Sequence, residues 1–373
     1  MQDSIATIDW YSLKNPGSVD SPALLVYPDR IAANIRHLVA MAGQVNVLRP
    51  HVKTHKMTEV TRMLQQAGIR QFKCATIAEA EMLAETGAPD ILLAHQPVGP
   101  KAFRLRDLVI KYPDTSFSAI TDHPIVAAAL SAVFAEQNLV LPVFIDLNTG
   151  MKRTGIPPEK AWDLYQAIQR LPGIRFRGLH AYDGHVRSSD LAARKQMSDL
   201  AFAPVQALAD RIYAASQAYP EIVVAGTPSF PTHIHREHVA YSPGTFVFWD
   251  WGYDQQLPDA PFVFAALVLT RIISVIDEQT VCLDLGHKSI AAENPLPRVH
   301  FLDHPEAKPV AQSEEHLVVE VPDSSPYQPG DCWYGVPVHI CPTVALYDQA
   351  TVVRDHEVIG HWQVEARKRK IEI

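Results

Sequence analysis

Three short stretches concentrate the side chains able to do chemistry. The densest is Arg49-Pro50-His51-Val52-Lys53-Thr54-His55-Lys56. A lysine held at a strand end, partly desolvated and close to other cations, loses its proton more readily and forms Schiff bases with carbonyl groups. The same composition also describes a solvated basic loop, and the run alone does not decide between the two. His51 and His55 read as hydrogen-bonding neighbours of such a lysine rather than as catalysts. The second stretch is a pair of glycine-threonine steps, Gly226-Thr227 and Gly244-Thr245. Backbone N–H groups left accessible beside glycine can cradle a phosphate, although either step by itself is an ordinary turn. The third is His339-Ile340-Cys341 within Val336-Pro337-Val338-His339-Ile340-Cys341-Pro342-Thr343. On a strand, residues i and i+2 face the same side, so imidazole and thiolate could converge on one ion. Nitrogen with sulfur suits zinc, and two protein ligands leave positions for water and substrate. Taken alone, the pair reads more simply as a buried histidine and a buried cysteine.

The elements that must position these residues are legible in the periodicity. Short runs rich in Val, Ile, Leu or Phe predict strands at 45–53, 71–76, 90–95, 116–121, 141–147, 175–183, 221–226 and 239–244, with an extra run at 23–27 before them. Between them lie amphipathic stretches with apolar residues at three- and four-residue spacing, such as Ile31, Ile35, Leu38 and Val39, or Ala161, Leu164, Tyr165 and Ile168. The latter stretch is entered through Pro157-Pro158-Glu159, a good first-turn sequence. Eight strands alternating with helices predict parallel βα units and a closed (β/α)8 barrel rather than an open doubly wound sheet. After about Asp254 the texture changes to β-rich runs at 262–275, 280–285, 316–321, 332–340 and 344–353, divided by Pro, Gly and Asp. This predicts three parts: an N-terminal segment over residues 1–22 joining the β domain, a barrel over 23–254 and an all-β domain over 255–373.

In a barrel the active site lies at the C-terminal ends of the strands, and the reactive residues fall there repeatedly. Lys53 ends the first predicted strand. Asp146, Asn148 and Arg153 end and follow the fifth, and His180, Tyr182, Asp183 and His185 the sixth. The two glycine-threonine steps close the seventh and eighth, where barrels often bind phosphate.

Composition bounds the partners. The 373 residues are 47% hydrophobic and 20% charged, with a formal net charge of −8. That balance argues against a nucleic-acid or anionic-membrane partner, since both want clustered positive charge. The first ten residues show no basic segment followed by an apolar one, and no apolar run approaches a membrane span. Cys74, Cys282, Cys332 and Cys341 form no C-x-x-C pair, so a reduced, cytoplasmic setting is the expectation.

In this order the pieces resemble the fold-type III pyridoxal-phosphate enzymes, specifically the D-serine dehydratase and D-threonine aldolase family: an alanine-racemase-like barrel followed by a β domain. The specific motif is R-P-H-x-K-T-H-K. The resemblance implies that Lys53 carries pyridoxal 5'-phosphate. It also implies that Arg153, in Asp146-Leu147-Asn148-Thr149-Gly150-Met151-Lys152-Arg153, reaches the cofactor's phenolic oxygen, and that Tyr182 lies near its pyridine nitrogen. Gly226, Thr227, Gly244 and Thr245 match the phosphate-holding turns. His339 and Cys341 match the family's metal position, which reverses the plainer reading of that pair. The metal expected is zinc, with manganese or magnesium as alternatives. The alanine-racemase motif K-A-N-A-Y-G is missing, which disfavours racemization. In this fold class the β domain of one subunit commonly closes the barrel mouth of another, so a homodimer is expected.

The resemblance thus implies a metal-assisted lyase acting on a small D-β-hydroxy amino acid, releasing a 2-oxo acid and ammonia. The alternative on the same scaffold is a D-threonine-type aldolase giving glycine and an aldehyde, with His185 or a metal-bound water as base. A non-catalytic pyridoxal-phosphate carrier would lack the β domain and the metal pair, and a barrel hydrolase would show no cofactor absorption band.

Overall fold

The structure, a computed structural model, describes residues 9–373; residues 1–8 of the N-terminal segment lie outside the described residues. The chain divides into two compact units.

One unit comprises residues 35–246, 256–261 and 365–373. Its sheet is seven parallel strands in sequence order: β2 (Gln71–Cys74), β3 (Asp90–Leu93), β4 (Ser116–Thr121), β5 (Leu141–Asp146), β6 (Ile174–Ala181), β7 (Glu221–Val224) and β8 (Val239–Tyr241). These strands are near-continuous apolar runs because helices cover one face and the interior fills the other. β5, for example, is buried at all six positions. The predicted strand over 45–53 is different. Residues Val45–Val47 form a 3-10 turn, and the following segment touches both edge strands at single points, Leu48 beside Tyr241 and His51 beside Lys73. Its backbone N–H groups at Arg49 and His51 donate to Tyr241 and Pro243, and Val52 N donates to Lys73. The ring therefore closes through an irregular eighth stave. Pro50 contributes no N–H to a ladder, which limits regular pairing there. Inside the ring Leu92, Ile120, Phe144, Val223 and Ala240 form an apolar layer.

The other unit comprises, among the described residues, 9–34, 247–255 and 262–364. Its nine strands are β1 (Ala23–Val26), β9 (Ala266–Asp277), β10 (Thr280–Leu283), β11 (Val299–Phe301), β12 (Lys308–Gln312), β13 (Leu317–Glu320), β14 (Cys332–Pro337), β15 (Gln349–Arg354) and β16 (Glu357–Gln363). The order is β12-β13-β10-β9-β1-β15-β16, with β14 between β9 and β11. The run at 23–27, expected to precede the barrel strands, is β1 of this sheet. It pairs antiparallel with β9 and parallel with β15, so partners more than two hundred residues away claim it. Tyr11, Leu13 and Val19 of the N-terminal segment pack in the same cluster as Leu267, Leu269 and Val336. Strands β11, β12 and β16 were not legible in the sequence. β12 and β16 are largely exposed, so they lack the apolar signal.

Candidate active site at the strand ends

The basic run at 49–56 distributes its side chains in several directions. Arg49, fully buried, pairs with Asp90 at 2.7 Å and Glu221 at 2.8 Å, the first residues of β3 and β7, so it helps to close the N-terminal end of the ring. Lys56 pairs with the buried Glu79, whose other oxygen accepts from Ala75 N at 2.6 Å. His55 is buried, and burial pushes its imidazole down to about 3, so it is neutral. Lys53 differs from these three. It is exposed at the C-terminal rim, with its backbone N donating to His51 Nδ1 at 3.3 Å. Burial and the cations Lys53 and Lys73 push His51 well below the usual histidine range.

Tyr182 follows β6, and its ring is closely framed. A Cβ at Gly184 would meet the ring at 2.5 Å, and one at Gly226 would meet it at 3.0 Å. The exposed Arg153 lies with its guanidinium carbon 5.0 Å from the ring centroid, within cation–π range. Asp146, Asn148, Thr149, Arg153 and Tyr182 line one small cleft. His185 packs against Gly150, where a Cβ would lie 2.6 Å from its Nε2, and its buried Nδ1 has no hydrogen-bond partner. Gly150 has φ +130°, so both space and backbone require glycine there.

The two glycine-threonine turns meet. Thr227 Oγ1 accepts from Gly244 N and from Thr245 N, each at 3.1 Å, and Gly226 N donates to Ser229 Oγ at 3.2 Å. A Cβ at Gly244 would lie 2.8 Å from the His51 carbonyl. The neighbouring Ser242 Oγ is buried without a partner. Glycine turns that meet at adjacent strand ends and the orphaned hydroxyl of Ser242 fit a phosphate-bearing group. An exposed lysine at the rim and a framed tyrosine after β6 fit the aromatic aldehyde of pyridoxal phosphate. A wider cavity at the N-terminal end of the strands, lined by Gln71, Tyr219, Glu221 and Val239, gathers none of these side chains.

Sequence reasoning missed Lys73 as a member of the site. It is buried on β2, with Nζ 3.4 Å from His180 Nε2, and His180 Nδ1 lies 2.6 Å from Asp146 Oδ1. His180 and Asp146 are direct neighbours in the β5–β6 register. The only local hint was a lysine inside an otherwise apolar strand, Gln71-Phe72-Lys73-Cys74. Asp183 is likewise engaged inward: it accepts from Ser229 at 2.6 Å and holds His233 Nε2 at 2.8 Å.

In the other unit His339 and Cys341 are not on a strand. β14 stops at Pro337, His339 caps the short helix Ile340–Val344, and Cys341 lies in its first turn. The i, i+2 argument therefore fails, yet the helix start still brings the two side chains together. The His339 imidazole hydrogen-bonds both Glu293 and Cys341. Burial works against its proton, but Cys341 and Glu293 outweigh that and raise it to about 9. Asp250, buried, accepts from Ile340 N at 3.1 Å and from Tyr253 N at 2.9 Å and so anchors the helix start; burial pushes its carboxyl up to about 6. No group of three metal-ligating side chains occurs among the described residues. A histidine nitrogen oriented by a carboxylate, beside a cysteine sulfur, fits a two-residue metal site completed by other ligands.

Residues 26–250 match the alanine racemase N-terminal domain family, and residues 265–353 match a putative serine dehydratase domain. The chain is 29% identical to a D-threonine aldolase of Arthrobacter sp., over 94% of this chain and 93% of that protein. The structure superposes on a D-threonine aldolase from Filomicrobium marinum with a TM-score of 0.88 at 26% identity, covering 94% of this chain and 97% of the other. It also superposes on the D-threo-3-hydroxyaspartate dehydratase from Delftia sp. HT23, with a TM-score of 0.81 at 23% identity, covering 93% and 97%. A dehydratase of that name is also solved as a histidine-to-alanine mutant and as a metal-free cysteine-to-alanine mutant. No helix among the described residues is long and apolar enough to cross a membrane.

Proposed function

We propose a lyase function from one premise: the chain belongs to the alanine racemase N-terminal domain family, joined here to a putative serine dehydratase domain. The substrates are D-β-hydroxy amino acids, the class to which the aldolase and dehydratase names of its relatives point. Pyridoxal phosphate bound at the barrel rim supplies an electron sink for negative charge at the substrate α-carbon. Lys53 would carry it, and the Lys53 amine would be the group that accepts the substrate α-proton. Arg153 and the Tyr182 ring orient the group. The turns at Gly226-Thr227 and Gly244-Thr245 hold its phosphate through backbone N–H donors. A divalent ion held by His339 and Cys341, zinc by its sulfur ligand, supplies Lewis acidity for the β-hydroxyl oxygen. The working unit in this reading is a cytoplasmic homodimer.

The finer reading is elimination, giving a 2-oxo acid and ammonia, and Cys341 carries it. The histidine and cysteine replaced in the solved dehydratase mutants are two residues apart, as His339 and Cys341 are here. Retro-aldol cleavage is the second reading. It is favoured by the unpartnered Nδ1 of His185, a free nitrogen suited to a base, and by the aldolases that align along nearly the whole chain. The deciding experiment supplies D-serine, D-threonine and D-threo-3-hydroxyaspartate with zinc and follows ammonia and glycine together. Ammonia with 2-oxo acid is the expected outcome. Glycine with an aldehyde as dominant products would replace elimination by cleavage, and no turnover of any of the three would remove the lyase reading.

A further inference from the structure

Asp183 and Ser229 brace two neighbouring strand ends of the ring, and the proposed lyase chemistry uses neither. The β6–β7 ladder ends at the pair Ala181 and Val224. Two residues further along each strand stand Asp183 and Gly226, past the last backbone pairing between them. There the connection passes to side chains. Ser229 Oγ donates to Asp183 Oδ1 at 2.6 Å and accepts from Gly226 N at 3.2 Å. Asp183 directly follows Tyr182, and a Cβ at Gly226 would lie 3.0 Å from the Tyr182 ring. One brace therefore joins the strand end that carries the tyrosine to the turn that carries Gly226 and Thr227.

The direction of every bond in the brace is fixed. Asp183 is 2% exposed, and its Oδ2 accepts from His233 Nε2 at 2.8 Å and from Ser198 Oγ at 3.3 Å. Arg236 Nε donates to His233 Nδ1 at 3.0 Å, which leaves the ring proton on Nε2, facing Asp183. Burial works against the Asp183 charge, but the hydrogen bonds from His233 and Ser229 outweigh it and keep the carboxyl ionised. An ionised carboxylate only accepts, so the Ser229 hydroxyl must donate to it and keeps its lone pairs for Gly226 N. Ala225, between ladder and turn, is fully buried at φ +70°, a left-handed conformation that an alanine holds only where its surroundings impose it. Capture of Gly226 N is one such constraint. It fixes the Ala225–Gly226 peptide plane and with it the course of the turn that follows.

We propose that Asp183 is a positioning residue which, through Ser229, holds the Gly226-Thr227 turn in its phosphate-binding form. This rests on the reading of that turn as the phosphate holder. The experiment strips the holoenzyme of cofactor and titrates it with pyridoxal phosphate and with pyridoxal, which has the same ring and aldehyde without the phosphate. Schiff-base absorbance gives both affinities in the wild type and in Ser229→Ala, Asp183→Asn and Ser198→Ala. The deciding quantity is the ratio of the two affinities. Ser229→Ala removes the brace, and Asp183→Asn sets an amide donor against either the Ser229 hydroxyl or the His233 N–H. Each should lower the ratio on the order of tenfold by weakening pyridoxal phosphate while leaving pyridoxal in place. Ser198→Ala touches only the far carboxylate oxygen and should leave the ratio unchanged. An unchanged ratio in Ser229→Ala overturns the proposal. So does equal weakening of both ligands, the mark of a fold merely loosened, or a fall in Ser198→Ala as large as that in Ser229→Ala. If Asp183→Asn does not fold, Ser229→Ala decides alone. The wild type separates the two failures: pyridoxal bound as tightly as pyridoxal phosphate there sinks the phosphate reading itself, whereas a wild-type preference that Ser229→Ala retains sinks only the positioning role.

Discussion

The two units place their reactive groups in opposite ways. In the parallel ring, the candidates are spread over six strand ends: Lys53 from the irregular stave, Lys73 from β2, Asp146 and Arg153 at β5, His180 and Tyr182 at β6, and the two glycine turns after β7 and β8. In the mixed-sheet unit, His339 and Cys341 share one helix start three residues long. The ring's geometry is thus set by strand register, which many backbone hydrogen bonds enforce together. The pair depends on a few local supports: Asp250 on Ile340 N, Glu293 on the imidazole, and Thr343 Oγ1 donating to the His339 carbonyl at 2.9 Å. A strand-end site should tolerate single changes structurally while losing chemistry, whereas a turn site should lose its ion in graded steps.

The largest expected effect separates neighbouring lysines within the ring. Lys53→Ala should abolish the covalent attachment of cofactor and lower activity roughly 10³-fold or more, about 4 kcal/mol of transition-state stabilisation, with the melting temperature of the apoprotein unchanged. Lys56→Ala should do the reverse. It leaves Glu79 buried without its cation, which costs about 3 kcal/mol of folding stability, while the absorption band persists. Borohydride labelling together with thermal melts checks both, and a label on Lys56 would break the assignment.

Next is the independence of the two units. Chelation, or Cys341→Ala, should cut activity about 100-fold while leaving the cofactor band intact, because the ion and the cofactor rest on different units. Loss of the band in either case would erase the comparison. Mixing Lys53→Ala with Cys341→Ala protein sharpens it further: partial recovery is expected if the working unit is a dimer pooling both sites, and none if each chain serves only itself.

The smallest effect concerns the turn's supports. Glu293→Gln should weaken metal affinity about tenfold by freeing the imidazole to rotate, with folding unaffected. Metal affinity in the wild type should also depend on pH. The ion needs an unprotonated imidazole, and the His339 proton is held up to about 9. Below that value the proton competes, so affinity should tighten as pH rises from about 6.5 to about 8.5, by at most about tenfold per unit for one proton. Competition titrations with a chromophoric chelator read both quantities, and a flat profile would show that the His339 proton does not oppose binding.

The alternation of apolar runs with amphipathic stretches determined the parallel ring, because each parallel strand needs a crossover and each leaves its own periodic mark. Strand boundaries came within a few residues for β2 to β8 for the same reason, and the rim position of Lys53 followed from its place after an apolar run. The tertiary structure decided everything set by pairing across distance. Strand β1 has the composition of a barrel strand, but its hydrogen-bond partners are β9 and β15, and no local pattern encodes a choice between sheets. His339 and Cys341 converge through a helix start, although the local run reads as extended, because β14 stops at Pro337 and Asp250 accepts from Ile340 N at the start of the helix. Lys73 meets His180 across 107 residues of chain. Periodicity says only that each lies inside its strand; which interior side chains touch is set by the relative register of the strands, and that exists only once the ring has closed.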